Sequence, residues 1–163
     1  MNKRLNQLQY LIFDIQASNP KPEKGSILEI GWSVFSFNKS QGQSINCSEI
    51  IQPKKGMKIP KQNLRVTGLT EEMLHEGKKL EEVCLDLLEQ VKNIQTMNKN
   101  EFCPTIIHFA QYEIPFLKYL IDSFTSLETS PFSILCTHKI SKRLWPDLPR
   151  KGLRAIAGFL GWT

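Results

Sequence analysis

Cysteine, histidine and long apolar runs are scarce in this 163-residue sequence, which has 4 cysteines and 3 histidines. The cysteines are Cys47, Cys84, Cys103 and Cys136. No two of them form a C-x-x-C pair, which argues against a zinc site and predicts reduced thiols. No segment approaches the roughly 20 apolar residues of a membrane span, and the apolar run at residues 10–13 is too short for a secretory signal. These absences predict a cytoplasmic protein that does not use a membrane.

Negative charge is also in short supply, since 21 lysines and arginines face 16 acidic residues and give a net charge of +5. The basic residues include two runs, Lys54, Lys55, Lys58, Lys61 and Arg65, and then Lys142, Arg143, Arg150, Lys151 and Arg154. A positive surface attracts phosphate groups, although a basic run is equally compatible with an ordinary solvated face. With 40% apolar residues and no low-complexity segment, the chain is expected to form a single domain.

Apolar segments bounded by turn residues predict the strands. The first segment ends at Phe13, and the long segment 27–37 and the shorter segment 44–51 follow it, so three consecutive antiparallel strands are expected. Residues 105–109, directly after Pro104, and residues 132–136 are expected to form two further strands.

Apolar residues at three- and four-residue spacing predict the helices. Thr70 is the expected N-cap of the first, because acidic residues follow it. Two apolar stripes come next, formed by Leu80, Val83, Cys84, Leu87, Leu88 and Val91, and by Ile114, Phe116, Leu117, Leu120, Ile121 and Phe124. Pro115 is expected in the first turn of the second of these helices. Short helices are expected near residues 138–145 and 153–160, the latter closed by Gly161.

Polar side chains follow the first predicted strand, in the segment Phe13-Asp14-Ile15-Gln16-Ala17-Ser18. Because side chains alternate along a strand, Asp14 and Gln16 are expected to leave the same face. An Asp-x-Glu pair at these positions would hold a divalent cation, whereas Gln16 offers a similar reach without the negative charge. An aspartate at a strand end also commonly begins a turn, so both interpretations stay open at this point.

Taken in order, the motifs of the chain resemble those of the DEDD-type 3′-to-5′ exonucleases, particularly the branch related to the proofreading epsilon subunit of bacterial replicative polymerase. The family's Asp-x-Glu-Thr-Thr-Gly corresponds to residues 14–19, its Ile-Ile-Glu-Ile-Gly to 27–31, its Val/Ile-x-Gly-Leu/Ile-Thr to 66–70, and its His-Asn-Ala-x-Phe-Asp-x-x-Phe-Leu to 108–117. Residues 136–161 resemble the segment that leads to the last catalytic motif. The resemblance covers nearly the whole chain and implies an α/β, ribonuclease H-like three-layer fold with a mixed five-stranded sheet.

The same resemblance implies catalytic roles for Asp14, Gln16 and Glu113, with Asp14 and Glu113 as ligands of Mg²⁺ or Mn²⁺. Gln16 stands where the family has Glu, so weaker metal binding is expected. Glu113 stands where the family has Asp, and with the same charge and one extra methylene it is still expected to bind the metal; an exposed acid in the first turn of a helix is the other interpretation of Glu113. Substrate contacts are implied for Ile15, Ala17, Ser18, Val66, Thr67, His108, Phe109 and Tyr112. Of these, Phe109 and Tyr112 either offer faces on which bases stack, at about 1–3 kcal/mol per base, or belong to the core.

The family's last motif, His-x-Ala-x-x-Asp, is expected beyond Gly161 and therefore outside this sequence. Residues 1–163 are accordingly expected to be an exonuclease-like fragment of a longer protein, without the C-terminal helix, the general base and the fourth carboxylate. Two hypotheses follow. One is a two-metal 3′-to-5′ exonuclease of weakened activity that acts on the 3′ end of single-stranded DNA or RNA. The other is a catalytically degenerate module that binds nucleic acid or a protein partner.

Overall fold

Five strands form one mixed sheet in the computed structural model, which describes residues 4–37 and 46–162. The strands are β1 (Gln9–Ala17), β2 (Ile27–Ser36), β3 (Asn46–Ile50), β4 (Cys103–Ile107) and β5 (Phe132–Cys136). Their spatial order is β3-β2-β1-β4-β5, with β1, β2 and β3 antiparallel and β1, β4 and β5 parallel. This confirms the predicted α/β fold and its mixed sheet. Residues 44 and 45 of the predicted third strand lie outside the described residues.

Helices connect and flank the strands. They are α1 (Lys61–Thr67), α2 (Glu71–His75), α3 (Leu80–Asn98), α4 (Ala110–Phe124), α5 (Thr137–Leu144) and α6 (Leu153–Phe159). Thr70 caps α2 as predicted, because its Oγ1 accepts a hydrogen bond from the N–H of Met73 at 3.2 Å. Gly161 closes α6 with a left-handed φ of 81°, where a side chain would be strained. No helix in the described ranges is long and apolar enough to cross a membrane.

Strand β1 separates the core of the protein from the opposite face of the sheet. Leu11, Phe13 and Ile15 are at most 2% exposed and pack in one cluster with the apolar stripes of α3 and α4. The alternate residues Ile12 and Asp14 are exposed. The strand therefore places its polar residues on the face that the core does not occupy.

The predicted boundaries of strand β4 were wrong. The strand begins at Cys103, includes Pro104 and ends before His108. Cys103 donates its N–H to the carbonyl of Pro131, on the β5 side, so the alternation turns the nitrogen of Pro104 toward β1. Pairing of β4 with β1 begins only at Thr105, and a proline is tolerated there because no hydrogen bond is required.

The predicted position of Pro115 was also wrong. Helix α4 begins at Ala110, so Pro115 lies in the second turn instead of the first. A proline at this position removes the hydrogen bond to the carbonyl of Gln111. Both Gln111 and Pro115 are exposed, so water is able to satisfy that carbonyl.

Candidate functional site

Asp14 and Gln16 lie side by side at the end of β1, on the face that the core leaves open. The side-chain Nε2 of Gln16 donates a hydrogen bond to Oδ2 of Asp14 at 3.2 Å. On the neighbouring strand β2, Gly31 lies opposite Asp14, and Glu29 lies opposite Gln16. Gly31 has no side chain, and a Cβ there would come no closer than 3.7 Å to the carbonyl oxygen of Cys47. The strand pair therefore leaves open space beside the Asp14 carboxylate.

Glu113, in the first turn of α4, is buried beside Asp14. It is 5% exposed, and its Oε2 has no hydrogen-bond partner among the described residues. Burial raises the pKa of Glu113 to about 8, and the negative charge of Asp14 adds to the increase. The backbone N–H of Ile15 acts in the opposite direction and stabilises the charged form. A carboxyl group held in this way takes up a proton readily near neutral pH unless a cation faces it.

The pKa of Asp14 is also raised. Loss of water is the largest cause, although the side chain is partly exposed, and the negative charge of Glu29 adds to it. The hydrogen bond from Gln16, the backbone N–H of Ile15 and the charge of His108 lower the pKa. The backbone N–H of Ile15 thus stabilises the charged form of both carboxyl groups, which share one region of negative potential.

The oxygen donors of this region are of the type that a hydrated divalent cation binds. Mg²⁺ commonly binds proteins through one or two carboxylates and keeps several waters, and Asp14 and the unpaired oxygen of Glu113 are donors of that type. The side-chain amide oxygen of Gln16 reaches as far as the carboxylate oxygen of a glutamate would, but it is a weaker ligand of Mg²⁺. Among the described residues, no group of three His, Cys, Asp or Glu side chains is arranged to hold a metal ion. The described site therefore supplies two carboxylates.

His108 follows β4, and both of its ring nitrogens face protein atoms. Nδ1 lies 3.0 Å from Oγ1 of Thr137, and Nε2 lies 3.0 Å from the carbonyl oxygen of Lys151. A carbonyl only accepts hydrogen bonds, so Nε2 carries a proton. The ring links the end of β4 to the start of α5 and to the segment before α6. Its substrate contact stays a prediction, whereas its structural link is described by these two distances.

The two aromatic residues implied in substrate binding differ in their surroundings. Phe109 is 42% exposed and makes an edge-to-face contact with His138, with ring centroids 4.8 Å apart. Tyr112 is half-buried and packs against Phe116, with ring centroids 5.4 Å apart. Phe109 also lines a cavity of about 160 Å³ together with Lys139. An exposed ring beside a lysine favours a stacking face over a core role for Phe109, while Tyr112 lies at the edge of the core.

A second cavity, of about 180 Å³, lies between the end of β1 and helix α1. It is lined by Gln16, Ala17, Gln62, Asn63, Val66 and Thr67. The structure thus brings three of the implied substrate residues, Ala17, Val66 and Thr67, beside Gln16. Val66 is 78% exposed, so its side chain is accessible to a ligand. Ile15 is only 2% exposed as a whole residue, and its implied substrate contact stays a prediction.

Asn63 is a structural residue of this site that the sequence did not predict. Its Nδ2 donates a hydrogen bond to the carbonyl of Ser18 at 3.2 Å, with a longer contact of 3.5 Å to the carbonyl of Ala17. Ser18 in turn accepts a hydrogen bond on Oγ from the N–H of Ser26 at 2.9 Å. These contacts fix the backbone that follows Gln16. An asparagine in a basic run gave no signal of this role, because α1 itself was not predicted.

Comparison with known families matches residues 11–161 to RNase_T, whose description is "Exonuclease". A search of curated proteins gives no match. A product-bound structure of exonuclease I superposes with a TM-score of 0.76 at 10% identity, over 96% of this chain and 39% of that one. E. coli exonuclease I in complex with a 5cy-dA13 oligonucleotide gives a TM-score of 0.72 at 10% identity, over 95% of this chain and 36% of that one. The Methylocaldum szegediense exonuclease I gives a TM-score of 0.70 at 12% identity, over 96% of this chain and 36% of that one. The chain spans less than two-fifths of these proteins, and the likeness shows a shared fold.

Proposed function

Because the chain belongs to the RNase_T family of exonucleases, we propose that it is a 3′-to-5′ exonuclease-like domain acting on the 3′ end of single-stranded nucleic acid. This proposal depends on the closeness of Asp14 to the buried Glu113, whose pKa the charge of Asp14 raises. The Oε2 of Glu113 has no hydrogen-bond partner among the described residues. Two of the similar exonuclease I structures hold dA13 and dT13 oligonucleotides, which supports a single-stranded ligand. The nearer relation to epsilon subunits stays a prediction.

Asp14 and Glu113 are the residues that would hold Mg²⁺ or Mn²⁺ in this proposal. The bound ion would lower the pKa of a water molecule that it coordinates and would stabilise the charge that develops on the phosphate. Glu113 must lose its proton to act as a ligand, and its pKa of about 8 makes that loss unfavourable at neutral pH. Gln16 orients Asp14 through its hydrogen bond and adds no negative charge. Both features predict weak cation binding and weakened hydrolysis.

The terminal nucleotide would lie over the end of β1, between helix α1 and Phe109. Exposed Val66 and the main chain at Ala17 offer contacts on one side, in the cavity that Gln16 also lines. Phe109 offers a stacking face on the other side. Stacking and main-chain contacts do not read base identity, so little sequence preference is expected.

A binding module without hydrolysis is the second candidate function. The observation in its favour is the neutral Gln16, which occupies the position beside Asp14 and hydrogen-bonds to it. In the described part of the chain, no group of three His, Cys, Asp or Glu side chains is arranged to hold a metal ion. Such a site would bind a strand end while contributing little to cleavage.

A labelled oligonucleotide distinguishes the two candidates. The full-length gene product is incubated with 5′-labelled DNA and RNA strands and Mn²⁺, beside Asp14→Ala and a control, Asp86→Ala, that removes an exposed acid on α3. Progressively shortened labelled products from the wild type and the control, lost in Asp14→Ala, would establish 3′-to-5′ hydrolysis. Intact strands that stay bound would establish the binding module. Products that persist in Asp14→Ala would contradict the assigned site.

A further inference from the structure

A large cavity outside the Asp14 site lies between the loop that follows β3 and helix α2. Its volume is about 830 Å³, and four of its lining residues are Lys54, Lys55, Lys58 and Lys61. Among the described residues that line it, Glu71 is the only acid. Ligand sites in proteins commonly measure about 300–1,000 Å³, so this lysine-lined cavity is large enough for a substantial ligand. The excess of lysines makes an anion the favoured ligand.

Three of the four lysines are available to bind that anion. The Nζ of Lys54 donates a hydrogen bond to the carbonyl of Pro22 at 3.3 Å and lies 4.8 Å from the centre of the Tyr119 ring. Its charge is therefore engaged away from the cavity. Lys55, Lys58 and Lys61 are exposed, and within the described ranges none of them forms an ion pair.

The floor of the lysine-lined cavity is apolar and belongs to a second hydrophobic cluster. Leu74, which is 3% exposed, packs in this cluster with Leu28 and Leu69, and Ile59 packs against it. Met57 contributes a further apolar surface. A cavity with an apolar floor and a cationic rim suits a ligand that combines apolar surface with negative charge, and a nucleotide unit combines a base with a phosphate.

The loop that carries the lysines is held in place by its own hydrogen bonds. The N–H of Lys54 donates to Oγ of Ser26 at 3.1 Å, and this hydroxyl lies 3.1 Å from the sulfur of Met57. Gln52 donates from Nε2 to the carbonyl of His75 at 3.1 Å, which ties the loop to α2. A site fixed in this way loses less conformational entropy when a ligand binds.

Helix α1 connects the lysine-lined cavity with the Asp14 site. Lys61, the first residue of α1, lines this cavity, and Gln62, Val66 and Thr67 line the smaller cavity beside Gln16. The helix has 7 residues and is therefore about 10 Å long. A strand whose end lies near Gln16 reaches the lysines by passing along this short helix.

We propose that the lysine-lined cavity binds a phosphate and a base of the same single strand, upstream of the terminal nucleotide at Asp14. This inference rests on the proposed function, because it places the strand's 3′ end at that site. Lys55, Lys58 and Lys61 bind the phosphodiester backbone, and the partly exposed Met57 and Ile59 contact the base above the buried Leu74. Long strands therefore bind more tightly than short ones, which do not reach the cavity.

Length-dependent binding tests the inference. Binding of fluorescent oligonucleotides of about 12 and about 3 nucleotides is measured in EDTA, since single-strand sites commonly span roughly 4 to 16 nucleotides. The triple variant Lys55→Ala, Lys58→Ala, Lys61→Ala is compared with a control of equal charge, Lys92→Ala, Lys99→Ala, Lys118→Ala, on and beside α3 and α4. We expect the first variant to lose about 10- to 100-fold in affinity for the long strand only, and about 2 units of salt slope.

Each other outcome of this test has a defined meaning. The inference would be overturned if the first triple variant bound the long strand as tightly as the wild type, or if the two triple variants lost equal affinity for it. If the first triple variant lost equal affinity for the long and the short strand, the lysines would lie at the terminal nucleotide, and this would also overturn the inference. In these three cases hydrolysis or end binding at Asp14 would persist, so the proposed function would stand. A wild type that neither binds nor cuts any strand would overturn both.

Discussion

The side-chain amide of Gln16 donates a hydrogen bond to the carboxylate of Asp14, at 3.2 Å, on the open face of β1. This donor lowers the pKa of Asp14 by more than the negative charge of Glu29 raises it, although loss of water still leaves the pKa of Asp14 raised. A glutamate at position 16 would instead repel both acids until a cation neutralised the group. In the proposed cation site, a glutamate at position 16 would therefore raise the affinity for a cation and lower the stability of the cation-free protein.

Gln16→Glu is expected to increase the affinity for Mn²⁺ about tenfold, which corresponds to about 1.4 kcal/mol, because it adds a carboxylate ligand beside Asp14. Calorimetric titration measures this change. In EDTA the same variant is expected to unfold at a lower temperature than the wild type, since like charges then face one another. Gln90→Glu on α3 is the control of equal charge. Unchanged Mn²⁺ affinity would mean that residue 16 does not face the cation.

Glu113 is expected to make the stability of the cation-free protein depend on pH. Its pKa rises from 4.5 to about 8 on folding, so between these values the folded state retains a proton that the unfolded state has lost. The free energy of unfolding therefore falls as pH rises through this window, by at most about 1.4 kcal/mol per pH unit. Below pH 4.5 both states are protonated, and Glu113 contributes no dependence.

Glu113→Gln tests this pH dependence. The variant is expected to be more stable than the wild type at pH 8 in EDTA, and the difference is expected to shrink as the pH falls toward 5, because the burial penalty of a charged carboxylate disappears. Urea unfolding at several pH values measures the difference. Glu128→Gln, in an exposed loop, is the matched control. Parallel pH profiles of the wild type and Glu113→Gln would refute the assigned pKa.

Gly77→Ala is expected to destabilise the protein by about 1–3 kcal/mol, because the added carbon has no space. A Cβ at this position would lie 2.8 Å from the nitrogen of Gln52 and 2.9 Å from the carbonyl oxygen of Ile50, both in the backbone. The following residue, Lys78, pairs with this segment through its own backbone. In Gly158→Ala, the control, the new Cβ meets no atom within 4 Å. Urea unfolding in which both variants lose equal stability would contradict this explanation.

His108→Phe is expected to cost about 1–3 kcal/mol of stability, because it leaves the carbonyl of Lys151 without its donor. Thr137 keeps a partner in the variant, since its hydroxyl also lies 3.3 Å from the carbonyl of Ile107. Thermal unfolding measures the loss, and His75→Phe, at an exposed position on α2, is the control. A His108→Phe protein as stable as the control would show that the link is unimportant.

Periodicity in the sequence predicted most of the fold. The stripes of α3 and α4 and the alternation of β1 were correct because each of these elements buries one face in a continuous core. The two prolines led to wrong predicted boundaries for different reasons. Pro104 lies where strand β4 requires no hydrogen bond from its nitrogen, and Pro115 lies where water is able to bind the carbonyl that lacks a helix partner. Local sequence does not report which backbone groups a neighbouring strand uses.

Helix α1 and the lysine-lined cavity could not be predicted in the same way. The segment Lys61–Thr67 ends in the β-branched residues Val66 and Thr67 and has no buried residue, so it lacks an apolar stripe. Its helical conformation depends on tertiary contacts such as those of Asn63. The basic run was visible in the sequence, but the apolar floor at Leu74 belongs to a different helix and joins it only in the fold.

The alternation along β1 has an evolutionary consequence. The residues that pack in the core and the residues on the open face of β1 occupy alternate positions, so a substitution on the open face leaves the core packing intact. A lineage could exchange glutamate for glutamine at position 16 with no repacking of Leu11, Phe13 or Ile15. Proteins of such a lineage would then share one fold whether they were active, weakly active or inactive. The fold alone would therefore not show which of them are active.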